Sequence, residues 1–494
     1  MTGAAAATVA LAAVHAVVPE LPLPPLVVAE TILRATPGVV ATFFIEVLGG
    51  LAQPLLILTT TAGFLAATWL LGRAIPRIEP RLKGGVAVAA ALLSFPLAIT
   101  AFVVGAITDA PAGRLVISLV LGLAIGVTVT TWRFARLTRP PQPERPRAPG
   151  LHRREVIRAT WATGAGVVLA WTGLGRMALG GDGPEDGRLR VRARELFPDP
   201  PPADAELEAI GRLAPRRTST ADFYTIDTAL IDPVVDAGSW RLEIGGLVGR
   251  RSELAYDELE ALPAVTFDST LVCISNEVGG DLISSGRWVG IPLRTLLERA
   301  GVGDGVVEVV STSVDGYADS IPLDVAMRGT SIVAIGLNGR PLPTAHGFPA
   351  RLLVPGRYGM KQPKWLRSIE LVDRPFEGYW EQRGWSKAAI VKTMSRIDAA
   401  TDGASEAVVV AGVAFAGDRT ITRVEVSPNG GDTWIDAELE DPLSPLTWRR
   451  WRAGLPAETR SVTVRGTDGE GAVQTQEIAA PHPDGSSGYD SVTL

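Results

Sequence analysis

Residues 269–300 read STLVCISNEVGGDLISSGRWVGIPLRTLLERA, and they hold Cys273, the one cysteine among 494 residues. A lone cysteine has no intramolecular disulfide partner, so it is an inert buried thiol, a nucleophile or a metal ligand. Its neighbours bear on the choice. Thr270, Leu271 and Val272 read as the end of a strand, Ser275, Asn276, Gly279 and Gly280 as a tight polar loop. Pro292 to Leu297 reads as the opening of a helix with apolar residues at helical spacing. A thiolate at a strand-to-loop junction, among residues small enough to admit a bulky group, suits a soft metal centre.

Ahead of this stretch the texture is different. Only 20% of residues are charged and the net charge is −6, which excludes a basic field for nucleic acid. The apolar excess lies before residue 180, in runs at 4–18, 51–71, 86–107 and 115–132, with a fifth at 159–179. Near-uncharged runs of about 20 residues match a hydrocarbon core of ~30 Å. They predict an α-helical membrane section: four transmembrane helices over 1–135, then a cytoplasmic linker and a fifth helix over 136–180. The Pro-broken stretch Pro22–Gly50 reads as interfacial or re-entrant. Arg73, Arg77, Arg81 and Lys83 follow the second run, and Arg133, Arg136, Arg139, Arg145, Arg147, Arg153, Arg154 and Arg158 follow the fourth. The positive-inside rule puts both groups in the cytoplasm and everything after Gly180 outside it. The Arg153-Arg154 pair ahead of an apolar segment also resembles a twin-arginine export signal; the alternative is ordinary positive-inside charge.

Behind the cysteine stretch the chain reads as globular. Residues 181–217 read as a polar, Pro-rich tether with one short helical stretch. WRLEIGGLV (Trp240–Val248) alternates as a strand, and VVEVVSTSVDGYADSIPL reads as strand, turn and strand. His346, Arg351, Lys361 and Lys364 sit in an otherwise apolar run with glycines at 347, 356 and 359. Either this is a surface strand with solvated bases, or the cations are buried and need an anionic partner. A phosphate is such a partner, Arg offering a fork and Lys a point charge. From about Ala407 short alternating runs with turns at Asn429-Gly430 and Asp468-Gly469 predict an all-β immunoglobulin-like sandwich over 399–494. The acidic tail after His482 reads as loose.

Five ordered segments carry a family resemblance: CISNEVGG, RWVGIPLRTLLERAGV, DGYADSIPL (Asp315–Leu323), LNGRPLPTAHGFPARLLVPGRYGMKQPKWL (Leu337–Leu366) and GYWEQRGWS (Gly378–Ser386). Over roughly Thr218 to Glu477 the chain resembles the sulfite oxidase family of molybdenum enzymes. The resemblance implies an α+β molybdopterin domain at 218–398 and a molybdenum–molybdopterin cofactor with Cys273 as its protein ligand. Asn276 is the second catalytic candidate. Phe223 and Tyr224, in TSTADFYTIDTAL, match the aromatic pair that touches the pterin, although Phe223 reads equally as a core aromatic. Ser313 is the polar residue expected against the cofactor. His346, Arg351, Gln362 and Lys364 match the phosphate cradle, with Lys361 as a further basic neighbour. The carboxy-terminal domain implies a homodimer contact.

The activity implied is oxygen-atom transfer to or from a small substrate. No haem, flavin or iron–sulfur motif is present, so the electrons are expected to pass to a separate protein or a membrane quinone. Three positions depart from the family pattern. The arginines and tyrosine that hold a sulfite dianion align here with Val278, Ile226 and Trp385, which predicts poor sulfite binding unless Arg287 or Arg383 reaches in. Two rival functions are a cofactor-free adhesion or scaffold module on a polytopic membrane protein, and a transporter or sensor with an accessory outer domain.

Overall fold

The computed structural model describes residues 189, 191–229, 232–400 and 407–494, together with 55, 56 and 58–60. The chain divides into two compact units at Gly181 and Asp182, and the fold described is that of the second.

Eleven strands build its first part: β1 (Ala193–Glu195), β2 (Arg241–Gly246), β3 (Ser252–Ala255), β4 (Ala264–Val272), β5 (Ile283–Pro292), β6 (Glu308–Ser313), β7 (Ala318–Pro322), β8 (Ile332–Leu337), β9 (Arg340–Pro341), β10 (Arg351–Leu353) and β11 (Leu366–Val372). One sheet runs β1-β4-β5-β8-β10, with β9 paired to β8, and a second runs β3-β2-β11-β6-β7. Every residue of β4, AVTFDSTLV, is buried, which suits a β-branched and aromatic strand in a sheet interior. A core including Leu242, Ile244, Ile291, Val309, Val333, Leu352 and Ile369 unites residues of both sheets.

Four short α-helices follow residue 200: α1 (Ala205–Glu208), α2 (Tyr256–Glu260), α3 (Leu293–Ala300) and α4 (Leu323–Ala326). Helix α3 buries Leu293, Leu296, Leu297 and Ala300, the spacing of one helix face. It stops at Gly301, whose φ of 75° is a left-handed conformation that glycine adopts without strain. Between the cysteine loop and this helix stands β5, a ten-residue strand that its serines and glycines concealed in the sequence.

The second part contains β12 (Met394–Ala400), β13 (Ala407–Phe415), β14 (Ile421–Ser427), β15 (Ile435–Asp436), β16 (Glu438–Leu439), β17 (Arg449–Pro456), β18 (Ser461–Asp468) and β19 (Asp490–Thr493). They form two four-stranded sheets, β12-β13-β17-β16 and β15-β14-β18-β19. Val410, Val424, Val426, Trp451, Leu455, Val462 and Val464 form the core of this sandwich.

Two expectations are corrected. The chain as described is mostly β, not an α-helical membrane section followed by an α+β domain. Among the described residues no helix is long and apolar enough to cross a membrane, and the apolar runs lie outside the described residues except at 55, 56 and 58–60. The tether carries the short helical stretch expected of it, and over its later half it does not hang free. Asp204 caps α1, Glu206 and Glu208 pair with Arg452 and Arg450 of β17, and Arg217 forks onto buried Asp268 of β4. Nor is the carboxy-terminal tail loose. Strand β19 pairs with β18, and residues 479 and 487 bridge to each other just before it. Each of these pairings is made through the backbone, and backbone pairing leaves no periodic signature in so polar a stretch.

Candidate active site

Cys273 stands at the tip of the β4–β5 hairpin, directly after the last paired residue, Val272. Its amide donates to Leu282 O at 2.9 Å, and Asn276 N donates back to Cys273 O at 3.1 Å. The side-chain oxygen of Asn276 accepts from Leu282 N at 2.8 Å. Asn276 therefore braces the loop that presents the sulfur. Gly280 is needed because a β-carbon there would meet Asn276 Oδ1 at 2.7 Å. The Cys273 sulfur lies 3.0 Å from Ser275 Oγ. Burial pushes the thiol above its ordinary range, with the Ser275 contact opposing it. A cation at this sulfur would favour the thiolate that burial disfavours.

Tyr224 enters from the segment before β2, its amide donating to Ser284 Oγ on β5 at 3.1 Å. The residue is half-buried, but its hydroxyl points inward, 3.1 Å from where a β-carbon on Gly359 would sit. Burial there, then the neighbouring Cys273, holds the phenol protonated, against the pull of Arg351. Tyr224, Cys273 and Arg351 thus share one electrostatic environment. Phe223 is a core residue, edge-on to Trp288 at 5.6 Å and to His346 at 5.4 Å.

Arg351 opens β10 and is 5% exposed. Its guanidinium donates to His346 O at 3.3 Å and Gln362 O at 3.2 Å and lies 5.5 Å from the centroid of the Trp288 ring. Nε has no partner, and no carboxylate pairs with it among the described residues. Burial drives its pKa down to about 10, the mark of a cation lacking an anion. His346 donates from Nε2 to Thr220 O at 3.2 Å, since a carbonyl only accepts. Burial first, then Arg351, lowers it to about 4. Gln362 folds the turn inward, its amide bonding Val354 N at 3.2 Å and Arg357 O at 2.8 Å. Lys364 has an acid already, Asp227 at 2.8 Å, and donates to Ala345 O at 2.8 Å. Gly347 lets this turn close, because a β-carbon there would meet Lys364 Cβ at 3.0 Å and Arg351 Cβ at 3.1 Å.

Two expected residues stand apart. Lys361 is buried between Asp319, at 2.7 Å, and Glu381, so its charge is spent on the protein. Tyr317 completes that cluster, donating to Met360 O at 2.6 Å. Ser313 ends β6, paired with Leu366 two residues past Lys364, and its buried hydroxyl has no partner. Of the two arginines that sequence could not place, Arg287 pairs with Asp268 and Glu195. Arg383 stacks on Tyr379 at 3.6 Å and donates to its carbonyl. Sequence reasoning missed Asp227, although it lies in the leading segment FYTIDTAL. It also missed the acids of Lys361, which come from segments far apart in the chain.

A buried thiol beside a tyrosine, an acid-free guanidinium and two orphaned polar atoms fit a group bearing both a soft metal and an anion. Among the described residues no cluster of three or more His, Cys, Asp or Glu could hold a metal ion. These features define the class: a molybdopterin-dependent oxidoreductase. Comparison with known proteins agrees. The profile described as "Oxidoreductase molybdopterin binding domain" matches residues 229–380, and "Mo-co oxidoreductase dimerisation domain" matches residues 383–480. The chain is 30% identical over 175 residues to "Uncharacterized oxidoreductase YuiH" of Bacillus subtilis, covering 35% of this chain and 86% of that one. It is 31% identical over 346 residues to the mitochondrial sulfite oxidase of Mus musculus, covering 59% of this chain and 62% of the mouse enzyme's length. The solved sulfane dehydrogenase SoxCD of Paracoccus pantotrophus shares 23% identity at a TM-score of 0.47, over 53% of this chain and 76% of that one. The chain belongs to the sulfite oxidase family, and its cofactor is molybdenum–molybdopterin.

Proposed function

We propose that this protein transfers an oxygen atom to or from a small substrate without a dianionic charge, such as a sulfoxide. When bound, the cofactor supplies the metal at which oxygen and two electrons are exchanged. The protein's part is to hold and shape. Cys273 would ligate the metal, Arg351 and the 362–364 turn would receive the phosphate, and Tyr224 would stand protonated beside the sulfur. The observation carrying the cofactor assignment is Arg351, a buried cation with no acid. The same residue weighs against a cofactor-free scaffold, because a structural site selected for stability alone would hardly keep it.

The substrate class rests on the positions that replace the family's anion contacts. Val278 is half-buried, Ile226 is exposed and Trp385 is 6% exposed. None carries charge, and Arg287 is already engaged by Asp268 and Glu195. Taking a dianion from water into such surroundings costs several kcal/mol per unpaired charge. Steady-state kinetics of the holoenzyme on sulfite and on a neutral sulfoxide tests this. Higher efficiency on the sulfoxide is expected; higher efficiency on sulfite overturns it.

The electrons would pass to a separate carrier protein, and the carboxy-terminal domain would pair two copies of the chain. For location, the Arg153-Arg154 pair supports export of the folded, cofactor-loaded domain. Replacing the pair by Lys-Lys keeps the charge, so loss of export would show that the pair is recognised, and normal export would refute the signal.

A further inference from the structure

Residues 479–488 leave the sandwich and fold back as a strap over the cysteine loop. Ser486 Oγ donates to Asn276 O at 2.7 Å, three residues from the sulfur. Lys392 Nζ donates to Gly485 O at 2.7 Å, and Ser386 N donates to Pro483 O at 2.9 Å. At Gly488 a β-carbon would lie 3.8 Å from Val278. The strap is thus tied both to the loop that carries Cys273 and to the loop that carries Trp385.

What the strap delivers is His482. Its ring stands edge-on to Trp385, centroids 5.1 Å apart and planes at 78°. Trp385 packs in one cluster with Val272 and Ile274, the residues flanking Cys273. Two nitrogens here are buried with no hydrogen-bond partner among the described residues: Trp385 Nε1 and His482 Nε2. Leaving such a group unpaired costs on the order of 1–3 kcal/mol. Two of them on touching rings, beside the metal-ligating loop, mark a place made for a polar atom that is not the protein's own. An indole nitrogen only donates, so that atom is an acceptor. The positions that replace the family's anion contacts, 226, 278 and 385, carry no cation, which favours an acceptor on an uncharged group.

We propose that the strap completes the substrate side of the site, and that Trp385 Nε1 and His482 Nε2 together receive the oxygen of a small neutral S–O or N–O compound. His482 is then a specificity-determining residue contributed from beyond the sandwich. This rests on the oxygen-transfer reading above, and the test separates the two.

The holoenzyme is titrated with dimethyl sulfoxide, methionine sulfoxide and trimethylamine N-oxide, following the visible absorption for Kd and turnover for KM and kcat. His482→Phe fills the space without a polar atom, and His482→Gln restores one. In His482→Phe the Kd and KM should rise about tenfold, the worth of one hydrogen bond, with molybdenum content unchanged. His482→Gln should recover most of the loss, which a merely structural role would not. An unchanged Kd in His482→Phe, or no binding of any of the three compounds to the wild type, overturns the strap's role. Preference for sulfite with tenfold weaker oxide binding in His482→Phe would instead overturn the proposed function and leave the strap's role standing.

Discussion

Replacing Arg351 by Met should have opposite consequences in the two states of the protein. Without cofactor the guanidinium is buried with no acid, and the fall in its pKa from 12.5 to about 10 corresponds to about 3 kcal/mol of unfavourable charge burial. Met removes that cost but strands the carbonyls of His346 and Gln362, which Arg351 serves at 3.3 and 3.2 Å, at about 1–3 kcal/mol each. The two effects largely offset each other, so apoprotein stability should change by less than about 3 kcal/mol. With cofactor the balance is lost. Two charge-assisted bonds to phosphate contribute on the order of 1.5–3 kcal/mol each, so cofactor affinity should fall by about 10²- to 10⁴-fold. Urea denaturation of apo and holo forms reads the difference directly, because a ligand bound only to the native state raises its stability. Molybdenum per chain reads occupancy. Full occupancy, with the wild-type gap between holo and apo stability, would refute the placement of the phosphate at Arg351.

Lys361→Met should destabilise the protein by about 3–5 kcal/mol, since it leaves Asp319 and Glu381 buried together without their cation; thermal denaturation at neutral pH checks it, and a loss below 1 kcal/mol would show the cluster to be solvated. The pH dependence of apoprotein stability should carry the signature of His346. Its folded pKa is lowered from 6.5 to about 4, so the unfolded chain binds the extra proton between those values and stability is lost as pH falls through that window, by about 3 kcal/mol in all. His346→Gln should remove that slope, as denaturant midpoints at pH 4 and pH 7 would show.

How much of this was legible beforehand depends on how local each signal is. The place of Cys273, between a strand end and a small-residue loop, was legible from its immediate neighbours, whereas its reading as a metal ligand came from the family resemblance and not from the lone cysteine. Arg351 was legible because a lone Arg in HGFPARLLVP stands out against apolar neighbours. The sharing of labour among the cations was not. Arg351, Lys361 and Lys364 look alike in sequence, and only the positions of Asp227, Asp319 and Glu381, set by long-range pairing, show that the two lysines are paired with acids while Arg351 has none among the described residues. The hydrogen bond by which Asn276 braces the loop through Leu282 N was not legible, because it depends on how the loop closes. Strand β5 was hidden because both its faces are buried, which erases the alternation a half-exposed strand shows. The strap over residues 479–488 was hidden for another reason: it is held by backbone carbonyls and glycines, and its partners lie about 100 and 200 residues away.

The central claim is that Cys273 is the protein's bond to the metal. Visible spectra and metal content of purified Cys273→Ser, set against the wild type, test it most directly. A sulfur-to-metal charge-transfer band present in the wild type and absent from the variant, together with abolished turnover and a folded, pterin-containing protein, is the predicted result. An unchanged spectrum and unchanged turnover in Cys273→Ser would contradict it.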